Sequence, residues 1–259
     1  MHATERETLI LEAMGKTGFV SYRDLEARLD ASPATIRRDL ARLEAQGKIV
    51  RVHGGAKWPT ADEPPPSLRL SGTPFDQSIT LNLAAKQAIG RAAAALVEPA
   101  EGIMIDGGTT TLQMCPHLAG RDCQVLTNSL HIVNALLPQE GTRILLPSGT
   151  LFREQNIVLA PAGEDSMPRF HAPKLFMGAA AIGSQGIMQA DAVLVSAERR
   201  LIDRAEKVIV LADSSKFQSS SGAIVCGLDE IDVLVTDQGI TQETARSIKD
   251  ADIELILAQ

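Results

Sequence analysis

Apolar positions along the chain follow two periods. In residues 4–16 Leu9 pairs with Ala13 and Ile10 with Met14, four apart, which predicts a helix. Glutamates fill its first turn, where the positive end of the helix dipole favours them. Gly18 breaks this segment. Ser21-Tyr22-Arg23-Asp24 then opens a second helix as a capping box, with Asp24 in the acidic position and Leu25 and Leu29 as its apolar face. Asp30-Ala31 makes a tight turn. Ser32 is an N-cap type, Pro33 suits the first helical position, and Gly47 marks the end of a third helix. At about 100° per residue, Ile36, Leu40 and Leu43 share one face. Ala34, Thr35, Arg38, Ala41 and Arg42 lie opposite, with Arg37 on the flank. After Gly47 the stretch Lys48–Lys57 alternates around Gly54-Gly55, the pattern of a two-stranded wing.

From Phe75 onward helical segments alternate with short runs that are apolar throughout. The runs are 102–106, 124–127, 143–147, 174–178, 208–213, 232–236 and 254–257. Helices are expected at about 80–97, after Thr109, from Ser129, at 191–206 and at 240–249. Strands without a polar face, separated by helices, indicate a parallel sheet covered on both sides. Between the two regimes Pro59, Pro64, Pro65, Pro66 and Pro74 fall in a stretch with neither period. It reads either as a stiff polyproline linker or as a segment packed on the second domain that transmits motion. The expected organisation is a winged helix-turn-helix domain of α+β class over 1–58 and a proline-rich linker over 59–74. An α/β, Rossmann-like parallel-sheet domain follows over 75–259.

Composition narrows this picture. Hydrophobic residues make up 44% of the chain but aromatics only 3%, so the core must be built from Ala, Leu, Ile and Val. No apolar run is long enough for a membrane span, and the N-terminus has no signal-peptide core. Cys115, Cys123 and Cys226 are an odd, scattered set, which fits reduced thiols in a cytoplasmic protein. The net charge of −7 is unevenly spread. Residues 1–58 carry 10 basic and 8 acidic side chains, the remainder 15 and 24. A slightly basic head on an acidic body suits DNA contact by the head alone.

The third helix has what a major-groove reader needs, an apolar face for its own domain and a small, basic, hydroxyl-bearing face for DNA. Ser32, Pro33, Thr35 and Arg38 are the candidates to read or orient on the groove. Arg37, Arg42, Arg51 and Lys57 are candidate phosphate contacts, and His53 sits at the wing turn. In the second domain the strand ends carry the chemistry, because ligands of open parallel sheets bind beyond the carboxyl ends of the strands. Asp106-Gly107-Gly108-Thr109-Thr110 offers a carboxylate, a close backbone approach, and hydroxyls with N–H groups for an anion. Thr127-Asn128-Ser129, Gly178 and Ser215-Lys216 end further strands. The expected ligand is small, anionic and hydroxylated. Neither Gly-x-Gly-x-x-Gly after a strand nor a Walker A motif occurs, which disfavours dinucleotides and nucleoside triphosphates. His117, His131 and His171 lack metal-ligand spacing, and no cofactor is expected.

The motif Ser32-Pro33-Ala34-Thr35-Ile36-Arg37-Arg38-Asp39-Leu40, with Leu43-Glu44, Gly47 and Arg51-Val52-His53-Gly54-Gly55-Ala56, closely resembles the DNA-binding signature of the DeoR family of bacterial transcriptional regulators. Lys86-Gln87-Ala88-Ile89-Gly90, Asp106–Thr110, Thr127–Ser129, Gly178–Gly186 and Leu211–Phe217 resemble that family's sensor, as do Ile231-Asp232 and Thr236-Asp237. The resemblance implies a sensor fold shared with ribose-5-phosphate isomerase and a phosphorylated sugar or polyol effector. It also implies homo-oligomers, dimer or tetramer, and repression of a carbohydrate-catabolism operon through double-stranded operator DNA. Three departures fall near the expected ligand region. No arginine follows Phe75, Pro147-Ser148-Gly149 replaces a Gly-Gly pair, and Glu198 stands where a lysine is common. Gly149 remains a candidate effector contact. Two other classes stay open from the residues alone. One is a sugar-phosphate isomerase-like enzyme with a fused head, using Asp106 or Glu198 as base and Lys216 as electrostatic partner. The other is a DNA-binding structural protein without a ligand.

Overall fold

The computed structural model describes residues 3–15, 18–29, 31–45, 48–52, 55–58, 75–159, 167–219 and 221–259. The expected linker 59–74 and the turn residues Asp30, Gly47, His53 and Gly54 lie outside the described residues. The chain divides into two compact units, 1–69 and 70–259.

In the first unit the order is α1 (Ala3–Met14), β1 (Phe19–Ser21), α2 (Tyr22–Arg28), α3 (Pro33–Ala45), β2 (Val50–Val52) and β3 (Gly55–Lys57). Ser21 Oγ caps α2 by accepting from Asp24 N–H at 3.1 Å, and its hydroxyl donates to Asp24 Oδ2 at 2.7 Å. Ser32 Oγ does the same for α3, accepting from Thr35 N–H at 3.2 Å, with Pro33 as the first helical residue. Ile36, Leu40 and Leu43 are buried together with Ile10, Met14, Leu25, Leu29 and Ile49, the face the helical period marks out.

The wing has three strands, ordered β1-β3-β2, rather than the two expected. β1 escaped notice because three residues carry no readable alternation. Pairing holds it, with Val20 opposite Ala56 and Ser21 opposite Gly55, extended by Trp58 N–H donating to Gly18 O at 2.9 Å. Gly55 is required there, because a Cβ would stand 2.0 Å from Val20 O.

The second unit begins with α4 (Phe75–Ser78) and α5 (Leu83–Ala94), followed by β4 (Gly102–Ile105), a 3-10 helix (Thr111–His117), β5 (Gln124–Leu126), α6 (Leu130–Leu136) and β6 (Arg143–Leu145). A hairpin, β7 (Thr150–Phe152) and β8 (Ile157–Leu159), precedes β9 (Ala172–Met177), β10 (Ala181–Gly183) and β11 (Gly186–Gln189). The chain ends with α7 (Ala192–Ile202), β12 (Ala205–Leu211), a 3-10 helix (Ser214–Gln218), β13 (Ala223–Cys226), β14 (Val233–Thr236), α8 (Gln242–Asp250) and β15 (Glu254–Leu257).

Seven strands form one sheet in the order β15-β14-β12-β9-β4-β5-β6, parallel at every pairing. Its two faces follow the period of two. Ile103, Ile105, Ile209 and Leu211 join one core with Ile89, Met114 and Ile132. Met104, Val208 and Val210 join the other with Leu201, Ile248 and Val225. Burial on both sides is why these runs lack a polar alternation.

Three expectations change. The helix expected after Thr109 is a 3-10 helix containing Pro116, which has no N–H for an α-helical bond. The helix expected at 191–206 ends at Ile202. The polar start of β12 instead pairs Ala205 with Ala172 and Lys207 with Lys174. The short strands β7, β8, β10, β11 and β13, which form the hairpin and an antiparallel sheet ordered β10-β11-β13, were not expected.

Candidate functional site

On the first unit, Ser32, Pro33 and Arg38 are exposed at the N-terminal half of α3 and Thr35 is half-buried, its hydroxyl 2.9 Å from Ser32 Oγ. Arg38 therefore projects from the side of α3 opposite the buried Ile36, Leu40 and Leu43. Arg37 lies in α3, Arg51 in β2 and Lys57 in β3. Arg42 is committed differently from the phosphate contact expected of it. Its guanidinium pairs with Glu7 and donates to Asp39 at 3.0 Å. Asp39 is itself buried and receives Arg6 Nε at 2.6 Å. Arg42 ties α3 to α1.

In the second unit the chain turns to opposite sides of the sheet from adjacent strands. β4 leads outward to β5 and β6, and β9 leads the other way to β12, β14 and β15. The crevice beyond the carboxyl ends of β4 and β9 is thus a topological switch point, where open α/β sheets bind ligands. An open cavity of about 290 Å³ occupies it. Asp106, Gly107, Gly108, Thr109 and Thr110 line it from β4, Gly178 from β9, and Lys216 from the 3-10 helix after β12. Thr111 Oγ fastens the first loop by donating to Asp106 O at 2.8 Å.

Other candidates lie elsewhere. Thr127, Asn128 and Ser129 are buried beneath the cavity rather than lining it. Asn128 Nδ2 donates to Asp106 Oδ1 at 3.4 Å, and Ser129 packs against Gly107. Ser215 turns to a separate hollow, its hydroxyl bound to Asp213 beside Asn82. Gly149 is not among the lining residues.

Several residues in the wall had no sequence signal. Gln155 and Gln189 come from the hairpin turn and from β11, short elements set by pairing. Phe75, Ser78 and Leu81 come from α4 and the turn that follows it. Lys86 is buried on α5, donating to Ser78 O at 2.6 Å. Burial lowers its pKa, Asp213 raises it, and the neighbouring charge of Lys216 lowers it. The motif Lys86–Gly90 was visible, but nothing in it told that the ammonium points inward.

The cavity is electrostatically two-sided. Lys216, Thr109 and Thr110 bring to its lining a cation and hydroxyls, groups that suit an anion. Asp106 lines the cavity but is only 2% exposed, and burial raises its pKa to about 6 although the Gly107 N–H and the Asn128 amide pull it down. Glu198 on α7 is raised well above the usual carboxylate range by burial and by the charge of Asp106, with Gln189 opposing. Its Oε1 accepts from Gln189 Nε2 at 2.6 Å.

Among the described residues, no group of His, Cys, Asp and Glu could hold a metal ion and no helix is long and apolar enough to cross a membrane. The three cysteines are free and buried.

Residues 6–62 match the DeoR-like helix-turn-helix domain and residues 81–238 match the DeoR C-terminal sensor domain. A relative in Escherichia coli, described as an aga operon transcriptional repressor, is 33% identical, covering 98% of this chain and 93% of its own. The HTH-type transcriptional regulator UlaR of Shigella dysenteriae is 30% identical over 99% of both chains. Among solved structures, ribose 5-phosphate isomerase A of Methanocaldococcus jannaschii matches with a TM-score of 0.39, at 16% identity over 52% of this chain and 54% of that one. The full-length sorbitol operon regulator SorC of Klebsiella pneumoniae matches with 0.38, at 13% identity over 96% and 99%. A capped α3 beside a three-stranded wing, a switch-point cavity in a separate parallel-sheet unit and end-to-end likeness to named regulators converge: the chain belongs to the DeoR family and is a DNA-binding transcriptional regulator, not an enzyme.

Proposed function

We propose that this regulator represses an operon for carbohydrate use and leaves its operator when a phosphorylated sugar or polyol occupies the switch-point cavity. The observation that carries this is the cavity's polarity: Lys216 and the Gly107–Thr110 loop suit a phosphate, and Asp106 suits the hydroxyls attached to it. A relative named as a transcriptional repressor supports repression as the output. Ser32, Thr35 and Arg38 meet the major groove, and Lys57 meets the backbone. One head covers a short stretch of groove, so the chain acts in the cytoplasm as a dimer or tetramer on repeated half-sites. Residues 1–58 form the DNA-binding domain, 59–74 the linker, and 75–259 the sensing and oligomerising domain.

A ligand shifts DNA affinity only by the difference in its own affinity for the two states. The test is a thermal-shift screen of sugar and polyol phosphates against their unphosphorylated parents, followed by anisotropy on a selected operator fragment. Phosphorylated forms should raise the melting temperature and release DNA, and Lys216→Ala should weaken both effects. Equal shifts from the parent sugars would remove the phosphate from the proposal. Tighter DNA binding with ligand would replace derepression by co-repression.

A further inference from the structure

The wall of the cavity includes the first described element of the second unit. Phe75 opens α4, immediately after residues 59–74, and its buried side chain lines the cavity. Its ring stacks on His131 of α6, with centroids 3.8 Å apart and planes 9° from parallel. The imidazole is held in turn by Asn156, whose Nδ2 donates to His131 Nε2 at 3.0 Å. Asn156 sits in the β7–β8 turn with a left-handed φ of 52°, and its carbonyl accepts from Leu130 N–H at 2.9 Å. The same turn reaches Phe75 directly through Glu154 O, which accepts from Phe75 N–H, and it supplies Gln155 to the cavity.

The other side of this hairpin is joined to the cavity floor. Val158 N–H donates to Asn128 O at 2.8 Å, Ile157 bridges Ser129, and Asn128 holds Asp106. Ile157 also packs where a side chain on Gly107 would stand. A continuous set of contacts therefore runs from Asp106 through Asn128 and the hairpin to His131 and Phe75. Coupling between distant sites is carried by packed and hydrogen-bonded networks of this kind where they have two discrete arrangements.

We infer that His131 is a positioning residue. By stacking on Phe75 it makes the chain entry part of the ligand wall, so that filling the cavity is felt at residues 59–74 and passed to the DNA-binding unit. His131 does not line the cavity, and it acts through Phe75.

The chain's single tryptophan, Trp58, provides the readout. It belongs to the first unit, directly before residues 59–74, and is part-exposed with Nε1 donating to Gly15 O at 3.2 Å. The full chain is titrated with D-glucose 6-phosphate, D-glucitol 6-phosphate and inorganic phosphate, following heat of binding and Trp58 emission together. In the wild type the emission change should saturate with the heat. His131→Ala should keep the heat and lose the emission change, and His131→Phe, which restores a flat ring beside Phe75, should recover it. A wild type that binds a probe without any change at Trp58 overturns the inference. So does His131→Ala with an undiminished emission change, or with loss of binding, which would make His131 a plain wall support. Failure of His131→Phe to recover the response overturns the stacking role. Failure of every phosphate compound to give heat is a different result, and strikes the proposed effector class instead.

Discussion

Arg6 on α1 holds Asp39 on α3 through two bonds, Nε to Oδ2 at 2.6 Å and Nη2 to Oδ1 at 3.2 Å. The carboxylate is buried, and hydrogen bonding to it raises the Arg6 pKa. Removing Arg6 takes two bonds from a buried carboxylate and leaves it the Arg42 Nη2 bond at 3.0 Å. Arg6→Ala should therefore lower the melting temperature of the first unit more than Glu7→Ala, which leaves Arg42 still bound to Asp39. Circular dichroism melts of the two variants decide this. Equal melting temperatures would show that the clamp adds nothing to the unit.

Arg38 and Lys57 should fail in different ways. Arg38 is exposed on α3, where its side chain can reach base edges. Arg38→Ala should cost about 1–3 kcal/mol on the preferred operator and relax the choice at one base pair. Lys57→Ala should weaken all sequences alike and reduce the slope of log K against log salt by about one. Anisotropy on matched and mismatched duplexes across salt concentrations separates the two. A uniform loss for Arg38→Ala would place that residue on the phosphates.

The residues that were legible in sequence are those whose role is local. Ser32 and Pro33 cap α3 by their own chemistry, and Asp106-Gly107-Gly108-Thr109-Thr110 lines the cavity because it directly follows a buried strand. Residues whose role depends on distant partners were not legible. Asp39 is buried beside Arg6, a partner 33 positions away. Gln189 faces the cavity because β11 pairs with β10 and β13. Thr127-Asn128-Ser129 has the same polar character as a ligand loop, yet Asn128 O is taken by Val158 N–H and the loop lies beneath the cavity. Polar composition at a strand end marks a switch-point crevice, but packing decides which loops face it.

Gly55→Ala should be among the most damaging single changes in the first unit. The new Cβ would stand 2.0 Å from Val20 O and 2.9 Å from Ser21 Cα, both backbone atoms that a rotamer change cannot move. Overpacking of this kind costs about 1–3 kcal/mol or more. The β1–β3 pairing should be the part that opens, since Val20 and Ser21 are its members. Hydrogen exchange should show faster exchange in 19–21 and 55–57 with α5 unchanged. Wild-type exchange in the wing would mean that the strands re-pair around the added methyl.

The buried carboxyl of Asp106 sets a pH dependence of definite sign. Its pKa is about 6 in the folded chain against an ordinary 3.8, so between these values the folded state keeps a proton that the unfolded state has lost. The stabilising contribution is complete below the lower value and is lost as pH rises through the upper one. Glu198 is displaced in the same direction by burial and by Asp106 itself. Asp106→Asn removes both the buried charge and its repulsion of Glu198 while keeping the shape of the side chain. The variant should thus melt close to the wild type at low pH, rise progressively above it as pH climbs from 3.8 to about 6, and keep that lead at higher pH. The same change should weaken phosphorylated-sugar binding, because an amide oxygen accepts from ligand hydroxyls less strongly than a carboxylate does. Thermal melts across pH with and without D-glucitol 6-phosphate measure both effects. A difference in melting temperature that stays constant across pH would show that Asp106 does not titrate in this range.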